Sequence, residues 1–148
     1  MSYNKLWSRW IESSIFKHLG DNVTEVSKIY IEGMVRDTNK VEEYLEFRMD
    51  GPWVEQKQSG YVLEYDINVL VTLPQSKNLY RKADITGELM QILSGQISIL
   101  DQTQTIVGCS KLKTDRRQKL QTNNFGIVKP ASTLMQSTVE ARHYWEVS

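Results

Sequence analysis

Residues 60–74, GYVLEYDINVLVTLP, decide the fold class of this chain. From residue 61 to residue 71 every odd position is apolar, and the even positions between them include three polar side chains, Glu64, Asp66 and Asn68. Strict alternation is typical of a β-strand that has one face in the core and one face in water. We therefore expect a long, half-exposed strand, which ends at Pro74 because proline donates no ladder hydrogen bond.

Two segments show the period of an amphipathic helix. Residues 3–19 and residues 79–93 each carry apolar side chains at helical spacing, which predicts one buried stripe per helix. Gly20 and Gly95 follow these segments and are suitable residues to end a helix. Two tryptophans of the first helix, Trp7 and Trp10, are expected to face the core. We also consider them as interface anchors, since tryptophan is enriched at interface hot spots.

Shorter alternating segments predict further strands. They cover residues 27–34, 43–50, 96–100, 104–112 and 137–147. The tripeptide D-G-P at 50–52 predicts a turn, because Asp, Gly and Pro each favour turn geometry. Residues 53–59 then continue as a strand or an arm. The polar segment 113–126 has no clear period and predicts a long loop or mobile arm.

The predicted fold class is α+β. Long alternating strands beside two helices indicate a mostly antiparallel or mixed sheet, with the N-terminal helix and the second helix packed on one face. The 148 residues fit a single domain, 1–148.

The composition excludes several classes of protein. Lys+Arg and Asp+Glu number 18 each, whereas a free nucleic-acid binder usually shows a basic excess. A neutral chain favours, weakly, a protein that is normally assembled. The single cysteine, Cys109, pairs with no other in the chain, which predicts a reducing compartment. No apolar run reaches the ~18 residues of a membrane span, and the N-terminus lacks a signal-peptide h-region, so we expect synthesis in a cytoplasm and no membrane partner.

The sequence contains no catalytic or cofactor motif that we can identify. It lacks GxGxxG, GxxxxGK[ST], HExxH and CxxC. His18 lies near the end of the first helix, where the helix dipole favours its charged form. His143 lies on the apolar face of the last strand, which is typical of a structural histidine, and Cys109 has no histidine nearby in sequence. We therefore predict no enzyme activity, no cofactor and no metal site.

One arrangement resembles part of a nuclease site. Asp50, Glu55 and Lys57 match the acid and E-x-K pattern that holds a divalent ion beside a phosphate. E-x-K is common by chance, and the D-G-P turn already accounts for Asp50. A turn is the preferred interpretation.

A short segment is locally basic. Residues 111–120 carry one acid, Asp115, and five bases, Lys111, Lys113, Arg116, Arg117 and Lys119. The segment is either a solvated loop or a basic contact loop that touches DNA phosphates or an acidic partner.

The order of these elements resembles the tail terminator, or tail completion, proteins of long-tailed bacteriophages. An amphipathic helix precedes a strand pair, the strand GYVLEYDINVLVTLP, the helix RKADITGELMQIL and a closing strand TVEARHYWEV. The resemblance covers roughly residues 25–147 and lies in pattern and length. It implies a virion protein without enzyme activity or cofactor. It further implies a homo-hexameric ring that ends polymerisation of the tail tube and joins it to the head-side connector or stopper protein.

Under this resemblance Glu64, Asp66 and Asn68 face the central channel. A polar or acidic lining lets DNA pass without sequence-specific binding, because like charges repel; alternatively, these side chains form a solvent-facing sheet surface. Two other functions remain open. One is a different neck, head–tail joining or minor capsid protein, and the other is a small intracellular α+β enzyme or ligand-binding module.

Overall fold

The computed structural model describes residues 2–34, 43–74, 80–129 and 134–148, without the side chains of 127–129. Two helices lie in these ranges, α1 (Trp7–Asn22) and α2 (Arg81–Ser94). The strands of the described ranges are β1 (Ile29–Ile31), β2 (Tyr44–Lys57), β3 (Gly60–Pro74), β4 (Ile97–Leu100), β5 (Ile106–Leu112), β6 (Leu120–Lys129) and β7 (Leu134–Val147). No helix in these ranges is both long enough and apolar enough to cross a membrane.

The seven strands form one mixed sheet centred on β7. The order is β1-β2-β3-β7-β5-β4, and β6 also pairs with β7. β1 and β2 are parallel, whereas every other pair is antiparallel. One edge of β7 pairs with β3 along its whole length, and the other edge is shared by β5 and β6. The predicted α+β class is confirmed.

Both helices pack on the face of the sheet that carries the odd positions of β3. Four apolar side chains of α1 are buried at steps of four residues, Trp7, Ile11, Ile15 and Leu19. This spacing places them on one helix face. In α2 the buried residues are Ile85, Leu89 and Leu93, while Ile92 is only partly buried. These side chains form one core with the odd positions of β3 and β7, as the two periodicities predict.

The D-G-P tripeptide is not a chain reversal. β2 continues through it to Lys57, and the pairing with β3 shifts register between Asp50 and Trp53. Gly51 has φ +103°, a conformation that glycine adopts readily. The tripeptide therefore forms a β-bulge in a continuous strand, because β3 offers a ladder on both sides of the extra residues. The turn prediction is wrong in this respect.

The predicted loop at 113–126 is partly wrong. Residues from Leu120 onward form β6, which pairs with β7, so only 113–119 lie outside a strand. The segment lacks apolar alternation because its even and odd positions are both largely exposed. Its strand conformation comes from the edge that β7 offers, a tertiary effect that local sequence does not contain.

Candidate functional site: the polar sheet face

The sheet face opposite the helices is called here the polar face, and Glu64, Asp66 and Asn68 lie at its centre. Their exposed fractions are 7%, 6% and 5%. The prediction of a half-exposed strand is therefore wrong, because both faces of β3 are covered. A buried carboxylate requires compensating charge or hydrogen bonds, so the partners of these acids define the chemistry of the face.

Asp66 is paired with Arg142, its cross-strand neighbour on β7. Arg142 donates from Nε to Oδ1 over 2.8 Å and from Nη2 to Oδ2 over 3.1 Å, which is a bidentate pair. Lys119 Nζ lies 3.4 Å from Oδ2 of the same carboxylate. Burial by itself raises the pKa of Asp66, but the hydrogen bonds and charges of Arg142 and Lys119 outweigh it and lower the pKa. Asp66 is therefore ionised at neutral pH.

Glu64 and Asn68 also have partners within the chain. Glu64 Oε2 lies 3.3 Å from Lys113 Nζ and 3.2 Å from Arg117 Nη1. Asn68 donates from Nδ2 to Asp50 Oδ2 over 2.8 Å. None of the three predicted channel residues is a free polar group, and the two acids are neutralised.

Besides Arg142, the neutralising cations come from residues 113–119, which we call the basic strap. Both ends of the strap bond to the backbone of one residue: Lys113 N donates to Arg142 O over 2.8 Å, and Arg142 N donates to Lys119 O over 2.9 Å. The strap is thus a seven-residue excursion between β5 and β6, anchored opposite Arg142. It folds its cations back onto the polar face.

The structure therefore brings together two sets of residues that the sequence predicted separately. Three bases of the predicted contact loop, Lys113, Arg117 and Lys119, pair with the predicted channel acids. Lys111 and Arg116 are exposed and have no ion pair in the described part of the chain. Contact of this loop with DNA or an acidic partner stays a prediction, as does the channel role of the acids.

A groove of about 480 Å³ lies next to this cluster on the polar face. Its lining is mixed: Glu46, Arg48, Asn68, Leu70, Phe125, Gln136, Thr138 and Glu140. Phe125 is 56% exposed, and the buried hydroxyl of Thr138 has no hydrogen-bond partner. The groove offers polar and apolar contacts together.

Trp7 lies in the core of this chain and is 6% exposed. Its ring contacts Tyr3, Tyr61 and Trp145 in edge-on geometry, at centroid distances of 4.9, 5.5 and 6.0 Å. Trp10 is partly buried, and its indole Nε1 has no hydrogen-bond partner. The core role is confirmed for Trp7, whereas the interface role of both tryptophans stays a prediction.

His143 is fully buried in a hydrogen-bonded chain. Its Nε2 lies 2.6 Å from Leu93 O at the end of α2, and its Nδ1 lies 2.8 Å from Ser110 Oγ, which also bonds to the Tyr65 hydroxyl. Nε2–H therefore donates to the carbonyl, and Nδ1 accepts from the serine. Burial lowers the pKa of His143, so it is neutral. The prediction of a structural histidine is confirmed.

The structure also shows the surroundings of the other residues that were considered for catalysis. Cys109 Sγ lies 3.3 Å from Gln96 Oε1, while both nitrogens of His143 bond to other groups. The expected charged form of His18 is wrong: burial lowers its pKa, and this effect exceeds the raising effect of Asp21. In the described ranges no group of three or more His, Cys, Asp or Glu side chains is arranged to hold a metal ion. Asp50, of the nuclease-like pattern, bonds to Asn68.

Two residues of this site were not singled out from the sequence. Arg142 lies between Ala141 and His143, and this alternation is the sequence signal that it faces the polar side of the last strand, whereas its register opposite Asp66 comes from the structure. Ser110 gave no signal, because its role depends on the crossing of β5 beside β7.

Comparisons with known proteins give a fold relationship. No protein-family model matches the sequence, and no curated protein matches it. One solved chain, whose name states no function, has a TM-score of 0.59 and 10% identity, and the match covers 95% of this chain and 96% of that one. A chain from the virion of a native gene transfer agent particle has a TM-score of 0.65 and 7% identity, over 97% of this chain and 100% of that one. These matches show a shared fold over nearly the whole of each chain.

Proposed function

We propose that this protein is a structural component of a phage or phage-like virion. More specifically, it forms a ring at the head-proximal end of the tail tube, ends polymerisation of the tube and joins the tail to the head-side connector. The observation that carries the proposal is the fold likeness to a chain of a gene transfer agent virion, which covers 97% of this chain and 100% of that one. The element order resembles tail terminator proteins independently of that match.

The charge arrangement of the polar face supports this role. The acids at its centre are each paired with bases of β7 or the basic strap. A surface of paired charges attracts or repels a polyanion less than charges of one sign do, because the fields of two opposite charges in contact largely cancel, and salt screens the remainder over about 10 Å. If this face lines the channel, DNA passes a wall of paired charges rather than the acidic wall that the sequence suggested.

The first test measures assembly and tube binding separately. Light scattering over a range of protein concentrations reports the mass of the purified protein, and a six-subunit ring is expected. Electron microscopy then examines tail tubes from the particle whose genome carries the gene, with and without added protein. The proposal expects density on one end of each tube and no further tube growth.

Two results would overturn the proposal. A protein that neither assembles nor binds tube ends is not a tail terminator, and a ligand-dependent shift in melting temperature would then favour a binding module. A protein that binds the connector or capsid but leaves tube length uncontrolled is a different neck or minor capsid protein.

A further inference from the structure

The terminal strands β1 and β4 are open edges of the sheet, and β6 and the end of β2 each add an open stretch in the described part of the chain. Residues Leu120–Asn124 of β6 form a regular ladder with Ala141–Ser137 of β7, and no described strand lies on their other side. Residues Trp53–Lys57 of β2 pair with Glu64–Gly60 of β3, whereas β1 covers only Leu45–Phe47. Each open stretch is five residues long and offers unpaired backbone donors and acceptors.

The two open stretches differ in how well they are protected against pairing. Natural edge strands carry charges, prolines or strong bulges that prevent another strand from adding. Leu120–Asn124 contain no charge and no proline. Trp53–Lys57 are all exposed; the stretch carries two charges, Glu55 and Lys57, and follows the bulge at Pro52. It nevertheless includes two large exposed apolar side chains, Trp53 at 50% and Val54 at 44%. Exposed apolar residues on an open edge indicate that the edge is covered in the working state.

The strand directions determine how copies fit together. β2, β3, β7 and β6 are neighbours in that order, and each runs antiparallel to the next. An even number of alternating strands means that β6 runs opposite to β2. When copies are related by rotation about an axis along the strands, β6 of one copy therefore meets β2 of the next in antiparallel orientation, the geometry that simple ladders prefer.

We propose that Leu120–Asn124 of one copy pairs with Trp53–Lys57 of a second copy, so that the sheets join head-to-tail around a ring. The inference rests on the proposed ring function, since it names the contact by which the ring closes. A joint between two different edges is heterologous, and repetition of such a joint gives a closed ring when the rotation between copies divides the full turn, and an open filament when it does not. The two stretches lie at different heights in one chain, so the joint requires the strand tilt that closed sheets have.

Charge substitutions on the two edges test the joint. Thr122 and Val54 lie on the helix side of the sheet, opposite Val139 and Leu63. In the joined sheet the helix sides of the two copies lie on the same side. Thr122 is then opposite Val54 or offset from it by two residues, which is within reach of cross-strand interaction. Thr122→Lys and Val54→Glu each place a charge on one edge, and the double variant places opposite charges across every joint.

The readout is the concentration at which the ring forms, measured by light scattering, with circular dichroism to confirm folding. Each single variant is expected to raise this concentration by about tenfold or more, and the double variant to recover most of the loss. Matched controls place the same charges on exposed helix positions, Ser13→Glu and Gln91→Lys, and are expected to assemble as the unmodified protein does. Hydrogen exchange of residues 120–124 and 53–57 should slow on assembly.

Other outcomes overturn the inference and remain distinct from failure of the proposed function. If the single variants assemble as the unmodified protein does, the ring closes through another surface. If Thr122→Lys blocks assembly and Val54→Glu does not restore it, β6 pairs with itself in a two-fold dimer. If assembly occurs only on tube ends, the same variants are compared there. If assembly of the ring responds to these charges as expected but the ring does not bind tail tubes, the proposed tail function is overturned and the joint between β6 and β2 is not.

Discussion

Single residues in this protein are fixed by contacts with distant parts of the chain, and Gly108 shows this most directly. A Cβ atom at this position would lie 2.0 Å from Nε1 of Trp145, whose indole packs over β5. Gly87, in α2, has nothing within 4 Å of the same built atom. Gly108 lies in strand β5 and Gly87 in helix α2, and only Gly108 lacks space for a side chain.

We predict opposite effects of alanine at these two glycines. Gly108→Ala should lower the free energy of unfolding by about 1–3 kcal/mol, because the Trp145 ring must move within a packed core. Gly87→Ala should raise it by about 0.4–1 kcal/mol, because alanine restricts the unfolded chain and favours the helix. Urea denaturation of both variants measures the difference. Equal effects would show that Trp145 does not pack on Gly108.

His143 makes the free energy of unfolding depend on pH. Burial, opposed by the bond to Leu93 O and reinforced by the charge of His18, lowers the pKa of His143 below its ordinary value of 6.5. A histidine with a lowered folded-state pKa contributes stability that is present above about pH 6.5 and is lost as pH falls below it. The unfolded chain takes up the proton first.

We therefore predict that the free energy of unfolding falls between about pH 7 and pH 5.5. His143→Gln should be less stable at pH 7 and should show a smaller slope over this range. His18→Gln is the comparison variant: burial also lowers the pKa of His18, so this variant removes one titrating histidine while leaving the buried chain of Ser110 and Tyr65 intact. A slope unchanged by His143→Gln would contradict the prediction.

At the scale of elements, β3, β7 and the basic strap are joined by one ion-pair cluster. Arg142 is central to it, since its side chain holds Asp66 and its backbone holds both ends of the strap. Arg48 lies on the same face and is exposed, with no ion pair in the described ranges. The same substitution can therefore be compared at Arg142, which has an ion-pair partner, and at Arg48, which has none in the described ranges.

We predict that Arg142→Leu lowers the free energy of unfolding by about 1–3 kcal/mol, because Asp66 is left buried with Lys119 alone. Arg48→Leu should change it by less than about 0.5 kcal/mol. The lowered pKa of Asp66 contributes stability that is lost on acidification, so Arg142→Leu should also reduce the loss of stability between pH 5 and pH 2. Chemical denaturation at pH 7 and pH 3 measures both effects. Equal loss in the two variants at pH 7 would show that the cluster does not stabilise the fold.

At the scale of the whole molecule, an aromatic cluster connects distant parts of the chain. Trp7 of α1 contacts Tyr3, Tyr61 at the start of β3 and Trp145 at the end of β7. Trp53 is instead 50% exposed on the open edge of β2, where its ring contacts Arg142. Substitutions of Trp7 and Trp53 are therefore expected to distinguish an effect on folding from an effect on assembly.

We predict that Trp7→Ala lowers the free energy of unfolding by about 3–5 kcal/mol, since a buried aromatic ring leaves a cavity. Trp53→Ala should cost about 1 kcal/mol or less in the monomer, because its ring loses one exposed cation–π contact. If the open edge is an interface, Trp53→Ala should weaken assembly more than it weakens the fold. Denaturation and light scattering on the same samples test this. A stable Trp7→Ala that fails only in assembly would reverse the assignment.

The sequence by itself determined the elements with strong periodicity. Alternation in β3 and β7 and the stripes of α1 and α2 gave the strands, the helices and the α+β class, because burial of one face imposes a period that local sequence must carry. The helix side of the sheet and the buried position of His143 followed from the same pattern.

Only the tertiary structure decided which strands, and which charged side chains, pair with each other. β6 has no apolar period and is a strand because β7 offers it an edge, and the D-G-P bulge stays in β2 because β3 continues past it. Glu64 and Asp66 of β3 are buried, contrary to the prediction, because residues of the basic strap, 53 positions further along the chain, pair with them. Such pairings depend on distances between segments far apart in the chain, and one sequence does not contain those distances.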